Sequence, residues 1–209
     1  MYFPSTVLAT VPTAEPISRA EAKLWTKIDA SDDDVVFDWC ITAARLYVEK
    51  ITNRALVTQG REMYPERFPC EPQIIVPHAP LISIAEFEWT DTAGTTREWT
   101  VSAGNLLSGS TVMAHVDAIR QPGRIVLAYG QSWPLETLKT SNPIRIAYTC
   151  GYGAAPAVPQ DLKNAMAVLI EHWYRNRSAV VIGQVGTIAS AQVQLTFDSL
   201  IANYICAYA

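Results

Sequence analysis

A few short patterns in this chain carry residue types that could do chemistry. Gly151-x-Gly153-x-x-Pro156 stands between a predicted strand and a predicted helix, where a dinucleotide phosphate loop would sit. Such a loop needs its third glycine for close helix–strand packing, and proline at that point spoils the helix start. No run of βαβ units surrounds it, so the pattern reads as a structural turn and no cofactor is expected. Gly130-Gln-Ser132-Trp-Pro134 is similar to a nucleophile elbow. A serine hydrolase using Ser132 would need a small residue where Pro134 stands and a helix behind it. Neither is present, and Trp133 is expected to pack down. His78, His115 and His172 lie in different predicted elements without a second His or Cys at ligand spacing, so no metal site is expected. Asp32-Asp33-Asp34 lacks the alternating oxygen ligands and distal Glu of a calcium loop. It reads as carboxylates capping a helix at the positive end of its dipole. No catalytic residue is assigned.

The cluster Trp173-Tyr174-Arg175-Asn176-Arg177 admits three readings. It could be a nucleic-acid patch, a helix end with cations at its negative pole, or a protein interface, since Trp, Tyr and Arg dominate interface hot spots. Trp173, Tyr174, Arg175 and Arg177 are therefore candidate interface residues. Tyr204 and Tyr208 are candidate anchors in the C-terminal segment.

The elements that must position these residues follow from periodicity. Residues 1–17 contain Pro4, Pro12 and Pro16 and read as an extended arm. Ser18-Arg-Ala-Glu21 is a capping box opening a short helix that stops near Ile28. A second helix follows the Asp-rich turn and runs to about Thr52, with Asn53 as its stop. Its expected apolar stripe is Val36, Cys40, Ala43, Tyr47 and Ile51, widened by Val35, Trp39 and Leu46. From Leu56 to Thr149 the period changes to two, with strands expected at 74–76, 81–89, 97–101, 124–129 and 144–148. Asp91-Thr-Ala-Gly94 supplies a hairpin turn. A third helix starts near Pro159 with Leu162, Met166, Leu169 and Trp173 as its stripe. Residues 178–195 read as a loop, and 198–207 as a last short helix. The fold class is α+β: a small helical bundle (two N-terminal helices plus a C-terminal helix) with a β-rich insertion between helices 2 and 3. The expected organisation is an arm at 1–17, a single domain at 18–177 and a docking segment at 178–209. Within that domain the helical core takes 18–54 and 158–177, and the insertion 56–150.

Composition narrows the function classes. The 209 residues carry a net charge of −4, with no basic tract. That argues against wrapping nucleic acid, which needs clustered Lys and Arg. Charged residues make up 17%, below the usual ~25%, as expected of a chain that covers part of its surface with partners. No apolar run approaches the ~20 residues that span a bilayer, and Met1 to Ile17 does not have the pattern of a secretory signal. Cys40, Cys70, Cys150 and Cys206 are widely spaced without Cys-x-x-Cys and read as reduced structural thiols.

Taken in order, several motifs resemble one family. They are Ala43-Ala-Arg45, Tyr47-Val-Glu49, Thr52-Asn-Arg54-Ala55-Leu56, Pro122-Gly123-Arg124-Ile125, Tyr129-Gly130-Gln131-Ser132-Trp133-Pro134, Gly151-Tyr-Gly153, Val158-Pro159 and His172-Trp173-Tyr174-x-Asn176-Arg177. Spread over about Ile17 to Val181, they resemble the head–tail connector (adaptor) proteins of tailed bacteriophages and gene-transfer particles. The resemblance implies a non-enzymatic virion protein. It would form a ring with itself, commonly twelve-fold, beneath the portal protein. It would extend the DNA channel, with DNA as passing cargo, and offer a platform to the stopper or tail-completion protein. Another neck or tail-completion protein of the same particle is the alternative. Assembly would take place in the host cytoplasm, with no membrane involved.

Overall fold

The computed structural model describes residues 4–176 and 184–206, the stretch 184–192 as backbone only. The chain is α+β, with helices and two antiparallel sheets. It divides into two compact units. One holds Thr58–Gly151 and the N-terminal residues up to Thr13; the other holds Ala14–Val57 and Tyr152–Ala207.

The helical unit contains α1 (Arg19–Thr26), α2 (Asp34–Thr52), α3 (Gln160–Arg175) and α4 (Gln184–Ile201). The Ser18 capping box forms as expected: Ser18 Oγ accepts from Glu21 N–H, and Glu21 accepts from Ser18 N–H at 2.7 Å. Lys27 and Asn53 end α1 and α2 in the left-handed region, at φ 58° and 52°. The Asp-rich turn differs from expectation. Asp33 holds the N-cap position but makes no side-chain cap bond. The Asp34 carboxylate instead pairs with Arg19 at 2.9 Å and with Lys23, joining α1 to the start of α2. Those cations hold its carboxyl below the usual range.

The buried face of α2 also differs. Phe37, Ile41, Ala44, Val48 and Thr52 face the core, whereas Val35, Trp39, Ala43, Leu46 and Tyr47 are exposed. The helix is apolar on nearly every side, so two stripes one residue apart in phase compete, about 100° apart. The inner stripe packs with Leu162, Ala165, Met166, Leu169 and Ile170 of α3 and with Phe197 and Ile201. Truncating Phe37, fully buried, would cost about 3–5 kcal/mol. Two charges are buried on α2: Arg45 donates to Glu15 at 2.8 Å, and Glu49 accepts from Leu56 N–H at 2.9 Å and from Arg45.

The loop expected at 178–195 is helical from Gln184 onward, and the expected helix at 198–207 is instead the end of α4 followed by a 3-10 turn at Ala202–Tyr204. Good helix formers (Ala189, Ala191, Gln192 and Gln194) outweigh Gly186 here.

The β unit has two five-stranded sheets. The first runs β1 (Ser5–Thr10), β2 (Gln59–Tyr64), β10 (Ile144–Cys150), β4 (Leu81–Thr90), β5 (Thr96–Glu98). The second runs β3 (Gln73–Ile75), β9 (Arg124–Leu127), β8 (Thr111–Asp117), β7 (Asn105–Ser108), β6 (Thr100–Ser102). Part of the expected arm is thus an edge strand. The single strand expected at 97–101 is broken at buried Trp99, which hands the chain from one sheet to the other. Strand β10 alternates strictly, with Ile144, Ile146, Tyr148 and Cys150 inward. On its other face Arg145 reaches Glu62 at 2.6 Å and also Glu86 and Glu88. Phe68, Phe87, Trp89, Trp99 and Trp133 stack as one aromatic core, Phe87 on Trp99 at 5.0 Å.

Candidate assembly interface

The end of α3 is built into its own subunit. Trp173 is half-buried and meets Tyr47 edge-on at 6.0 Å, and Tyr47 in turn contacts Phe197 at 5.6 Å. Tyr174 stacks on Phe37 at 4.5 Å, and its hydroxyl donates to Asp33. Arg175 is exposed and pairs with Glu171 at 3.0 Å, one turn back. The other Glu171 oxygen accepts from Trp25 Nε1 at 3.1 Å, so α1 and α3 share that carboxylate. Arg177 and Tyr208 lie outside the described residues.

Tyr204 belongs to a second constellation. Arg54 donates to the Tyr204 carbonyl at 2.6 Å and to the Tyr152 hydroxyl at 2.8 Å, and its guanidinium lies over both rings, at 5.7 and 5.8 Å. The Tyr204 hydroxyl donates to Asp161 at 3.2 Å. Burial, followed by that carboxylate, raises the Tyr204 phenol. Burial likewise raises Tyr152, against the pull of Arg54. Cys206 N–H donates to the Thr52 carbonyl at 2.9 Å and the Cys206 carbonyl accepts from Asn53 Nδ2 at 3.1 Å. The segment after α4 is therefore clamped to the end of α2. Arg54 was not singled out as a site residue; its signal in the sequence is an arginine directly after the Asn53 helix stop and before the apolar Ala55-Leu56-Val57.

The sites weighed for chemistry fall apart in space. Ser132 is exposed on the loop after β9, and no histidine lines the cleft beside it. Trp133 packs down, donating Nε1 to the Glu71 carbonyl at 2.9 Å. His115 meets Asn105, and His78 lies near Arg61 and Thr6. Gly151 and Gly153 take φ 123° and 117°, values that suit a turn rather than a helix start. No group of three His, Cys, Asp or Glu side chains is placed to hold a metal among the described residues.

Several large apolar side chains remain outward. Trp39 is 68% exposed and shares its face of α2 with Val35 and Leu46, and Leu24 stands clear of α1. A helix with apolar residues on both faces suits one that is covered on both. Strand β1 presents Val7, and Val11 follows it, at a sheet edge with no charge from Ser5 to Val11. Native sheets normally protect such an edge.

Solved structures then give the architecture a context. The fold is shared with chains of gene transfer agent particles. A chain in the neck of an empty particle, computed with C6 symmetry, superposes with a TM-score of 0.73 at 20% identity, covering 98% of this chain and 97% of that one. A chain in the virion of the native particle gives 0.73 at 18% identity, covering 98% and 96%. A chain in the native neck, computed with C12 symmetry, gives 0.69 at 22% identity, covering 100% and 97%. No family model matches the sequence, and no curated protein matches it. No helix of the described residues is long and apolar enough to cross a membrane.

Proposed function

We propose that this chain is a structural neck protein of a tailed-phage-like particle, and within the neck the head–tail connector (adaptor). The observation that carries the reading is the end-to-end fold likeness to chains of gene transfer agent necks, 98% of this chain against 97% of the other. The outward apolar faces support it, because a head-to-tail ring needs two different faces on each subunit. In this reading copies of the chain form a ring, twelve-fold as in one of the neck structures, below the portal protein. The ring extends the DNA channel and receives the stopper or tail-completion protein. Net charge −4 suits a channel through which duplex slides without being held.

Residues 18–177 form the connector body, helical at 18–54 and 158–177 with the β-rich insertion 56–150 between. The segment 198–209 docks on the portal, with Tyr208 and the exposed Ile205 as anchors and Tyr204 holding its base. Trp173 and Tyr174 contribute indirectly, by fixing α2 whose outer face meets a neighbour; Arg175 and Arg177 contact the partner directly. The role is structural and no reaction is assigned. Ser132→Ala is expected to leave thermal stability unchanged.

The test is to mix the protein with its portal and image the product. A ring stacked on the narrow end of the portal is expected. Absence of any association would overturn the proposal.

A further inference from the structure

Among the described residues the most exposed large apolar side chains are Tyr129, Ile119 and Leu135, each more than nine-tenths exposed. All three belong to the β unit, at opposite ends of the β8–β9 hairpin. Ile119 sits in the loop joining the two strands. Tyr129 and Leu135 follow β9 at the far end, where Ala128 N–H donates to the Met113 carbonyl. Met113 to Asp117 spans four steps of β8, about 13 Å at ~3.3 Å per residue, and Ile119 lies beyond that end of the strand.

The two ends differ in form. The loop end is a preformed knob: Asp117 accepts from the backbone N–H groups of Ile119 and Arg120 at 3.2 and 3.3 Å and from Arg124 at 2.9 Å. A turn fixed before contact loses little entropy on binding. The far end carries a cleft of about 530 Å³, lined by Trp89, Trp99, Met113, Trp133, Leu135 and Glu136 among others. Trp89 Nε1 is buried there with no hydrogen-bond acceptor among the described residues.

The two ends are complementary in charge. At the cleft rim Arg97 faces both Asp91, at 3.8 Å, and Glu136, at 3.6 Å, so two carboxylates share one guanidinium. Arg120, beside Ile119, has no carboxylate partner among the described residues and is exposed. A second guanidinium at the rim would balance the first pair.

We propose that Ile119 and Arg120 of one copy enter the aromatic cleft of the next, Ile119 against Trp133 and Leu135 and Arg120 on Glu136. Knob and cleft are different surfaces at opposite ends of one hairpin, so the contact is head-to-tail, the kind that builds a ring when its rotation closes. The inference rests on the ring reading above and names one surface that makes it.

The test uses the full chain with exposed Cys70 changed to Ser, alone and mixed with its portal. Ile119→Cys and Leu135→Cys are made singly and together, and the protein is oxidised and run on a non-reducing denaturing gel. Only the double variant is expected to give a ladder of covalent multimers. In a separate arm Arg120→Glu and Glu136→Arg are each expected to weaken self-assembly by at least about tenfold, with the double reversal restoring it. Intact rings without a ladder, unaffected by either reversal, would overturn the surface and leave the ring reading standing. Cross-linking of Ile119→Cys to the portal instead would overturn it too. Wild-type protein that stays monomeric by native mass spectrometry, alone and with portal, would overturn both readings.

Discussion

The Tyr174 hydroxyl donates to Asp33 Oδ2 at 2.6 Å, joining the last turn of α3 to the residue that precedes α2 across 141 positions of sequence. The carboxylate that sequence reading assigned to capping therefore serves a tertiary tie, and the ring that carries the hydroxyl also stacks on Phe37.

Removing that hydroxyl separates the two contributions. Tyr174→Phe is expected to cost about 1.5–3 kcal/mol, the range for a bond to a charged acceptor. Tyr174→Ala, which also loses the stack, should cost roughly 3–5 kcal/mol. Urea unfolding of the three proteins measures both, and equal stability of Tyr174→Phe and wild type would show the bond to be idle.

Arg54 gathers the carbonyl of Tyr204, the hydroxyl of Tyr152 and both rings. Lysine keeps the charge but cannot reproduce the planar fork. Arg54→Lys should therefore loosen the segment after α4, and the Cys206 amide, bonded to Thr52, should exchange about tenfold faster in hydrogen-exchange measurements. Unchanged Cys206 protection would mean the clamp lies elsewhere.

His78 gives the protein a pH response above the carboxylate range. Burial, then the nearby Arg61, lowers its imidazole from 6.5 to about 4. Between those values the unfolded chain binds the proton and the folded chain does not, so stability is full above 6.5 and falls as pH drops toward 4. Glu21, Asp34, Glu62 and Asp117 are also lowered, but from carboxylate values, so they act in a more acidic window. Asparagine tolerates the φ of 60° at this position. His78→Asn should flatten the urea midpoint between pH 6.5 and pH 4 while leaving the steeper loss below it; an identical slope would exclude His78 as the source.

Gly123 explains one of the motifs that carried the family resemblance. A Cβ there would lie 2.5 Å from Leu81 Cβ. Gly123→Ala is expected to cost about 1–3 kcal/mol through overpacking, and Leu81→Ala in the same chain should relieve part of that cost. Calorimetry of the single and double variants tests the coupling.

How far such features could be read beforehand depended on local signal. The capping box at Ser18, the left-handed stop at Asn53, the stripe of α3 and the Asp91–Gly94 turn are short-range devices, and each formed as read. The inner face of α2 could not be phased, because Phe37, Ile41 and Val48 compete with Val36 and Tyr47 on a helix that is apolar on most sides. Strand β2 reads Gln-Gly-Arg-Glu-Met-Tyr and gives almost no alternation; its neighbours β1 and β10 make it a strand. Likewise the break at Trp99 depends on two sheets meeting around an aromatic core. At the end of α3, Trp173 and Tyr174 drew attention by residue type as interface candidates, and they pack within their own chain. Their partners Tyr47, Phe37 and Asp33 are long-range and left no trace in spacing.

The division of the chain also sets an order of events during synthesis. Helices α1 and α2 leave the ribosome well before α3, which lies more than a hundred residues downstream. At about 5–20 residues per second, Phe37, Ile41 and Val48 wait on the order of 5–20 s for their packing partners. Everything the β unit needs beyond β1 is contained in the stretch that emerges meanwhile. The nascent chain thus carries α2 with its inner apolar face still uncovered, and that interval is when a holding chaperone has most to offer.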